Sequence, residues 1–473
     1  MKNILKLFSI FLVFSFLSCD SKLELTPEDQ STLSITFSNA RTTEGALNGI
    51  YDLLQGYNVL NGGLQMMGEW QADNNDFVGT FVGFTQVYNY SIPTNHDETL
   101  GVWQSHYAAI GAANLVIKFT PLVNDVNFSD TAKDNFVAQA KFLRALMYFN
   151  LANWYSQPLQ MPGRSTGAVP LVLEPFEGEV NFPSRNTLNE VYTQIETDLL
   201  EALPDLNNFD NSRATRGACL AFLARLYLYQ DRNAEAADFA NQAINDIDFA
   251  LAPNYDFYNT TSPEHFFTLV NTTSDGSNIQ ASYEDLNTPI NPDPNGIRGI
   301  GRGDTPISQN LIDAYNQEPD DLRFSSLTQQ GATFGGIFRT FTNKFSRTTT
   351  QSDNAPVFRV TEMYLTRAEA NFKEGISIGA NPVDDINTLR NRAGLVSLPV
   401  ITLDVILNER RKELAFEGHR RMDLLRNNMA LRRPGMPNET ESQPTSTNKV
   451  IFPIPEREIE LNTNLAPNNP PYL

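Results

Sequence analysis

The chain has 473 residues, 41% of them hydrophobic and 19% charged, which allows a large buried core and excludes disorder. With 35 Lys and Arg against 55 Asp and Glu, its net charge of -20 argues against binding nucleic acid, whose phosphates are held by clustered cations. Its two cysteines are too few for a disulfide framework.

Residues 1–18 read as a secretory signal: Lys2 and Lys6 give a positive start, and residues 8–17 are apolar except for Ser9 and Ser15. The apolar run is about half of the roughly 20 residues a membrane-spanning helix needs. Ser18 before Cys19 is the small residue and cysteine that lipoprotein processing requires, so Cys19 is the expected lipidation site. Several acyl chains there would anchor the protein stably. Residues 19–36 are polar and suit a tether, leaving 37–473 as a single domain.

Helical spacing places Trp103, Tyr107, Ile110 and Asn114 on one helix and Phe136, Ala140, Leu143, Met147 and Leu151 on the next. Thr187-x-x-Glu190 is a capping box opening a helix with Val191, Ile195, Leu199 and Leu203 on one face, ended by Pro204. Leu220, Leu223, Ala224 and Tyr227, then Ala236, Ala240 and Ala243, follow tetratricopeptide spacing across a turn at 230–233. Cys219 lies in this apolar stretch and reads as a buried small hydrophobe. Further pairs are 131–155 with 187–203, 357–374 with 382–393, and 402–417 with 420–428. The expected fold is therefore mostly α, with about four tetratricopeptide-like helix pairs, large loop-rich insertions near 71–99 and 250–356, and a few short strands. Those insertions are where such a scaffold places function.

Enzyme motifs are missing. The four histidines form no metal-ligand spacing, and neither a G-x-S-x-G elbow nor a phosphate loop occurs. Gly299-Ile-Gly-Arg-Gly303 follows turn residues and opens no evident helix, and Arg302-Gly-Asp304 is too short a motif to count. The basic residues Arg410, Arg411, Lys412, Arg420 and Arg421 alternate with Glu409, Glu413, Glu417 and Asp423 at the spacing of intrahelical ion pairs.

Taken together, several blocks resemble the SusD/RagB family of outer-membrane lipoproteins. They include Trp103-x3-Tyr107-x2-Ile110-x3-Asn114, Ala221-x2-Ala224-Arg225-x-Tyr227 and Glu362-x-Tyr364-Leu365-x-Arg367-Ala368-Glu369. The most specific are Asn387-x2-Arg390-x-Arg392-Ala393-Gly394-Leu395 and Glu409-Arg-Arg-x-Glu413-Leu-Ala-Phe-Glu417-Gly-x-Arg420-x2-Asp423-Leu424. The resemblance implies a helical-repeat fold and non-catalytic capture of a glycan or oligosaccharide at the cell surface. It further implies attachment to the outer membrane through the lipid and delivery to a SusC-type TonB-dependent transporter. It calls for no cofactor, and a structural calcium ion stays open. Peptide capture is the alternative within the family, and a surface hydrolase the alternative outside it.

A sugar site needs an aromatic platform beside polar groups that pair with hydroxyls. Trp70, at the entrance to the first insertion, is the candidate platform, with burial in the core as its alternative; Asp73, Asn74 and Asn75 are the candidate polar partners, Asp73 alternatively a cap, and Phe77, Phe81, Phe84 and Tyr88 either extend the platform or anchor the loop. Tyr255, Tyr258 and Arg302 are the candidates from the second insertion, whereas Trp103 and Trp154 read as core.

Overall fold

The computed structural model describes residues 32–274 and 301–473, apart from 166, 259, 261, 334, 346, 348, 349 and 351. The expected signal, Cys19, most of the tether and the centre of the second insertion lie outside the described residues.

After a one-turn helix at Leu33–Thr36, the described residues of the first half form α1 (Ala40–Leu54), α2 (Gly63–Gln71), α3 (Val82–Tyr88), α4 (Asp97–Phe119), α5 (Asp130–Tyr155), α6 (Leu188–Ala202), α7 (Arg216–Tyr229) and α8 (Asn233–Ile244). Local chemistry sets their ends. Ser129 and Thr215 accept the Ala132 and Ala218 amides at the starts of α5 and α7. At α6 the capping box forms in both directions, with the Glu190 amide 3.2 Å from Thr187 Oγ1 and the Thr187 amide 2.7 Å from Glu190 Oε2. The turn into α8 passes through Asp231 at a φ of 57°, the left-handed region that short polar side chains tolerate.

Neighbours in sequence pack together here: α4 on α5, α5 on α6, α6 on α7 and α7 on α8. Every residue of α7 after Arg216 is buried, so this helix runs through the centre of the core. Cys219 sits there with its thiol 3.3 Å from the Leu199 carbonyl, and burial pushes its pKa far up, which makes it inert.

The second half adds β1 (His265–Leu269), α9 (Gln309–Asn316), α10 (Leu322–Leu327), β2 (Thr328–Ala332), β3 (Phe338–Thr342), β4 (Ala355–Arg359), α11 (Val360–Glu374), α12 (Pro382–Arg392), α13 (Leu403–Leu414), α14 (Arg420–Leu425) and α15 (Glu456–Leu461). Strand β1 pairs antiparallel with β4, and β2 with β3. Helix α11 packs on α8, α12 and α13, which continues the helical stack. Residues 357–359, expected to open a helix, instead finish β4. The expected pairing of 402–417 with 420–428 is slight, because α13 packs mainly on α11. Among the described residues no helix is long and apolar enough to cross a membrane.

The basic cluster is structural, but its partners are on other elements. Arg410 Nε lies 2.8 Å from Asp423 Oδ1, Lys412 Nζ is 2.9 Å from Glu318, and Arg420 Nε is 2.7 Å from Asp73. Glu413 and Glu417 meet Arg359 from β4, and Arg392 from α12 joins Glu413 at 2.7 Å. Because these side chains are buried, intrahelical surface pairs are not available to them. Most of these charges find fixed counter-charges on the surrounding elements, whereas Arg421 is held by Gln71 and the carbonyls of Asn153 and Val450.

Candidate functional site

Backbone pairing between distant segments builds the site. The Ser308 amide donates to Asn74 O at 2.8 Å, Asp76 N to Pro306 O at 2.9 Å, and Val78 N to Asp304 O at 2.8 Å. Ile307 N in turn donates to Thr340 O at 2.8 Å, which ties this pair of segments to β3. The ladder fixes the start of the first insertion against residues 304–308 of the second.

Trp70 lies behind this ladder with no exposed surface, and its indole N–H donates to Thr305 Oγ1 at 3.1 Å. It is therefore a core residue and not a platform, since its ring and its polar atom are both occupied. The proposed polar partners are equally committed. Asp73 takes two hydrogen bonds from Arg420, at 2.7 and 2.8 Å, and faces Arg433 and Arg411. Burial alone would raise its pKa, but these cations prevail and hold the carboxyl well below the usual range. Asn74 bridges Glu69 and Arg411, and Asn75 donates to the carbonyls of Thr305 and Pro306. Burial pushes Glu69 up to about 7 despite the hydrogen bond from Asn74.

From Trp70 the aromatic side chains lead outward. Phe77 lies 5.0 Å and Phe84 4.7 Å from the Trp70 ring, and Phe81 lies 4.5 Å from Phe84. Phe77, Phe84 and Tyr88 are buried, whereas Phe81 is 47% exposed. Tyr255 and Tyr258 are placed elsewhere: their hydroxyls bond Glu413 and Glu417, and both rings are buried with Phe257. They are supports of the ionic core and contribute nothing to this surface.

Phe81 and Arg302 remain from the expected set, and the ladder brings them to one cleft of about 520 Å³. Thr80, Val82, Gly83, Gln86, Pro93, Asn95, His96, Asp97 and Glu98 complete its lining. Asp97 and Glu98 occupy the first turn of α4, where the helix dipole favours carboxylates. His96 caps that helix by accepting the Thr99 amide at Nδ1, and its Nε2 lies 3.0 Å from Gly83 O and 3.1 Å from Glu98. A Cβ on Gly83 would fall within 2.6 Å of the Glu98 carboxylate, so a larger residue there would have to push the end of that side chain aside.

The cleft thus combines an exposed aromatic face, two carboxylate acceptors, two amides and one guanidinium, without a nucleophile beside a base. Asp97 and Glu98 are neighbours on the first turn of α4. Among the described residues no three His, Cys, Asp or Glu side chains gather as a metal cluster. Sequence reasoning missed Gln86, Asn95, Asp97 and Glu98. The signal that could have found them is their position within the same insertion as Phe81, next to a helix start.

A helical-repeat scaffold that carries such a cleft on its inserted loops defines a class of binding protein. The model of the SusD family matches residues 325–472, and one described as "starch-binding associating with outer membrane" matches residues 25–228. The SusD-like protein P2 of Formosa agariphila is 27% identical over 99% of both chains. A SusD superfamily protein from Bacteroides thetaiotaomicron has a TM-score of 0.82 at 24% identity, covering 91% of this chain and 99% of that one. A laminarin-binding SusD-like protein has a TM-score of 0.74 at 25% identity, covering 92% of this chain and all of its own, 100%. The chain belongs to the SusD/RagB family.

Proposed function

We propose that this protein is a cell-surface lipoprotein that captures a polysaccharide or oligosaccharide in the Phe81 cleft and passes it, unhydrolysed, to a SusC-type TonB-dependent transporter in the outer membrane. The observation that carries the reading is the half-exposed Phe81 ring, backed by Phe84 and Trp70 and set among paired donors and acceptors. A pyranose offers an apolar face to such a ring and adjacent hydroxyls to carboxylate, amide and guanidinium groups. The starch-binding description of one matching model and the laminarin-binding neighbour support the ligand class. Lipidation at Cys19 would hold the acidic body at the outer membrane.

The test incubates the protein with laminarin and with starch, measuring binding and the release of reducing ends together. Binding without release is expected. Release of sugar would favour a hydrolase, and binding of oligopeptides in place of both glycans would favour peptide capture.

A further inference from the structure

Asp304 is a buried carboxylate of unusual setting. Its side chain is 1% exposed, and neither oxygen has a hydrogen bond among the described residues. Its counter-charge is Arg302, whose Nη2 stands 2.9 Å from Oδ2. The other buried carboxylates described above have several donors; Asp73 alone faces three arginines. Leaving a carboxylate so poorly served costs stability, and burial accordingly pushes the Asp304 carboxyl up while the Arg302 charge pulls it back.

The backbone around Asp304 cannot shift to relieve this. Its carbonyl accepts the Val78 amide, and the adjoining Thr305 receives the Trp70 indole N–H. A Cβ on Gly79 would lie 2.6 Å from Asp304 Cγ, so glycine there lets the chain pass close beside the carboxylate. The carboxylate is therefore a fixed point on the same ladder that supports the aromatic side of the cleft. Arg302, by contrast, is a long side chain, 37% exposed, and lines the cleft together with the carboxylates of α4. Ordering such a side chain at the moment of binding costs affinity, and ordering it beforehand removes that cost.

We propose that Asp304 is a positioning residue that holds the Arg302 guanidinium ready in the cleft, at an expense in stability that serves ligand binding. The inference rests on the glycan-binding reading of the same cleft. Asp304→Asn keeps the shape and removes the charge. Titration of laminarin and starch into the full chain in detergent should show affinity lowered about tenfold, the weight of a lost charge-assisted contact, with a melting temperature equal to or above that of the parent. In an Arg302→Gln background, Asp304→Asn should cause no further loss. If Arg302→Gln alone fails to fold, the double variant, which leaves no buried charge, provides the comparison with Asp304→Asn.

Labelling arginine with 15N gives a reading without ligand: the Arg302 Nε–H signal should report an ordered side chain in the parent and an averaged one in Asp304→Asn. Equal affinities of parent and Asp304→Asn, an affinity loss that merely follows a lower melting temperature, or an Arg302 signal equally mobile in both would overturn the proposal. An ordered Arg302 in a protein that binds neither glycan would leave the positioning role standing without its purpose, and would count against the glycan reading instead.

Discussion

The Phe84 ring lies 4.7 Å from the Trp70 indole and 4.5 Å from the ring of Phe81, so a buried tryptophan props up an exposed phenylalanine through one intermediary. Replacing the two ends should have different consequences. Trp70→Ala empties a fully buried site and should cost about 3–5 kcal/mol of stability, read by chemical denaturation. Phe81→Ala should leave the melting temperature within a degree or two and lower glycan affinity about tenfold, the scale of a lost aromatic contact.

The buried ion pairs give a second prediction. Arg426 makes a two-point contact with Glu369, at 2.5 and 2.7 Å, and both side chains are buried. Arg426→Met removes the two-point partner of Glu369, leaving it only Lys373 at 3.1 Å, and one of the two arginines on Asp423, and should cost about 3–5 kcal/mol. Adding Glu369→Leu should recover a large part of that loss. A double-mutant cycle on denaturation midpoints checks this; simple additivity would show that the pair is not coupled.

Acid sensitivity follows from two buried histidines and a third that is largely covered. Burial lowers His106, His265 and His419 to about 4, against 6.5 for an ordinary histidine. Their folded pKa is depressed, so the unfolded chain takes up these protons first, and stability is lost as pH falls from 6.5 towards 4. Glu69, raised to about 7, acts in the opposite sense and gains stability on acidification, as do Asp198, Asp304 and Asp385, also raised by burial, whereas the depressed carboxylates Glu318, Glu362 and Glu413 add to the loss at the acid end. Denaturation midpoints at pH 6.5, 5.5 and 4.5 should therefore fall. His106→Gln should reduce the slope by about one proton, ~1.4 kcal/mol per pH unit.

Anchoring is tested by Cys19→Ser, which should move the protein from the membrane to the soluble fraction. Unchanged fractionation would contradict lipid attachment at that residue.

Local patterns were legible in the sequence where local forces decide the outcome. The capping box at Thr187 and Glu190, the small residues of α7 and α8, and the burial of Cys219, Trp103 and Trp154 could be read from spacing alone. The site was legible only as a neighbourhood. Trp70 beside a polar loop leaves a ligand role and a core role both open until Thr305 and Arg432, far along the chain, occupy its N–H and its carbonyl. Similarly, the arginines at 410, 411 and 420 look self-sufficient at helical spacing, but their partners include Asp73 and Glu362. Phe81 and Arg302 become neighbours only through the pairing of residues 74–78 with 304–308, a long-range register that no periodicity announces.

The central claim is tested most directly by native electrophoresis through gels containing single polysaccharides, laminarin and starch among them, with reducing ends assayed in parallel. The account predicts that the parent protein is retarded in at least one gel, that Phe81→Ala migrates freely there, and that no sugar is released. Equal retardation of Phe81→Ala and the parent, or migration of the parent unchanged by every polysaccharide, would contradict it.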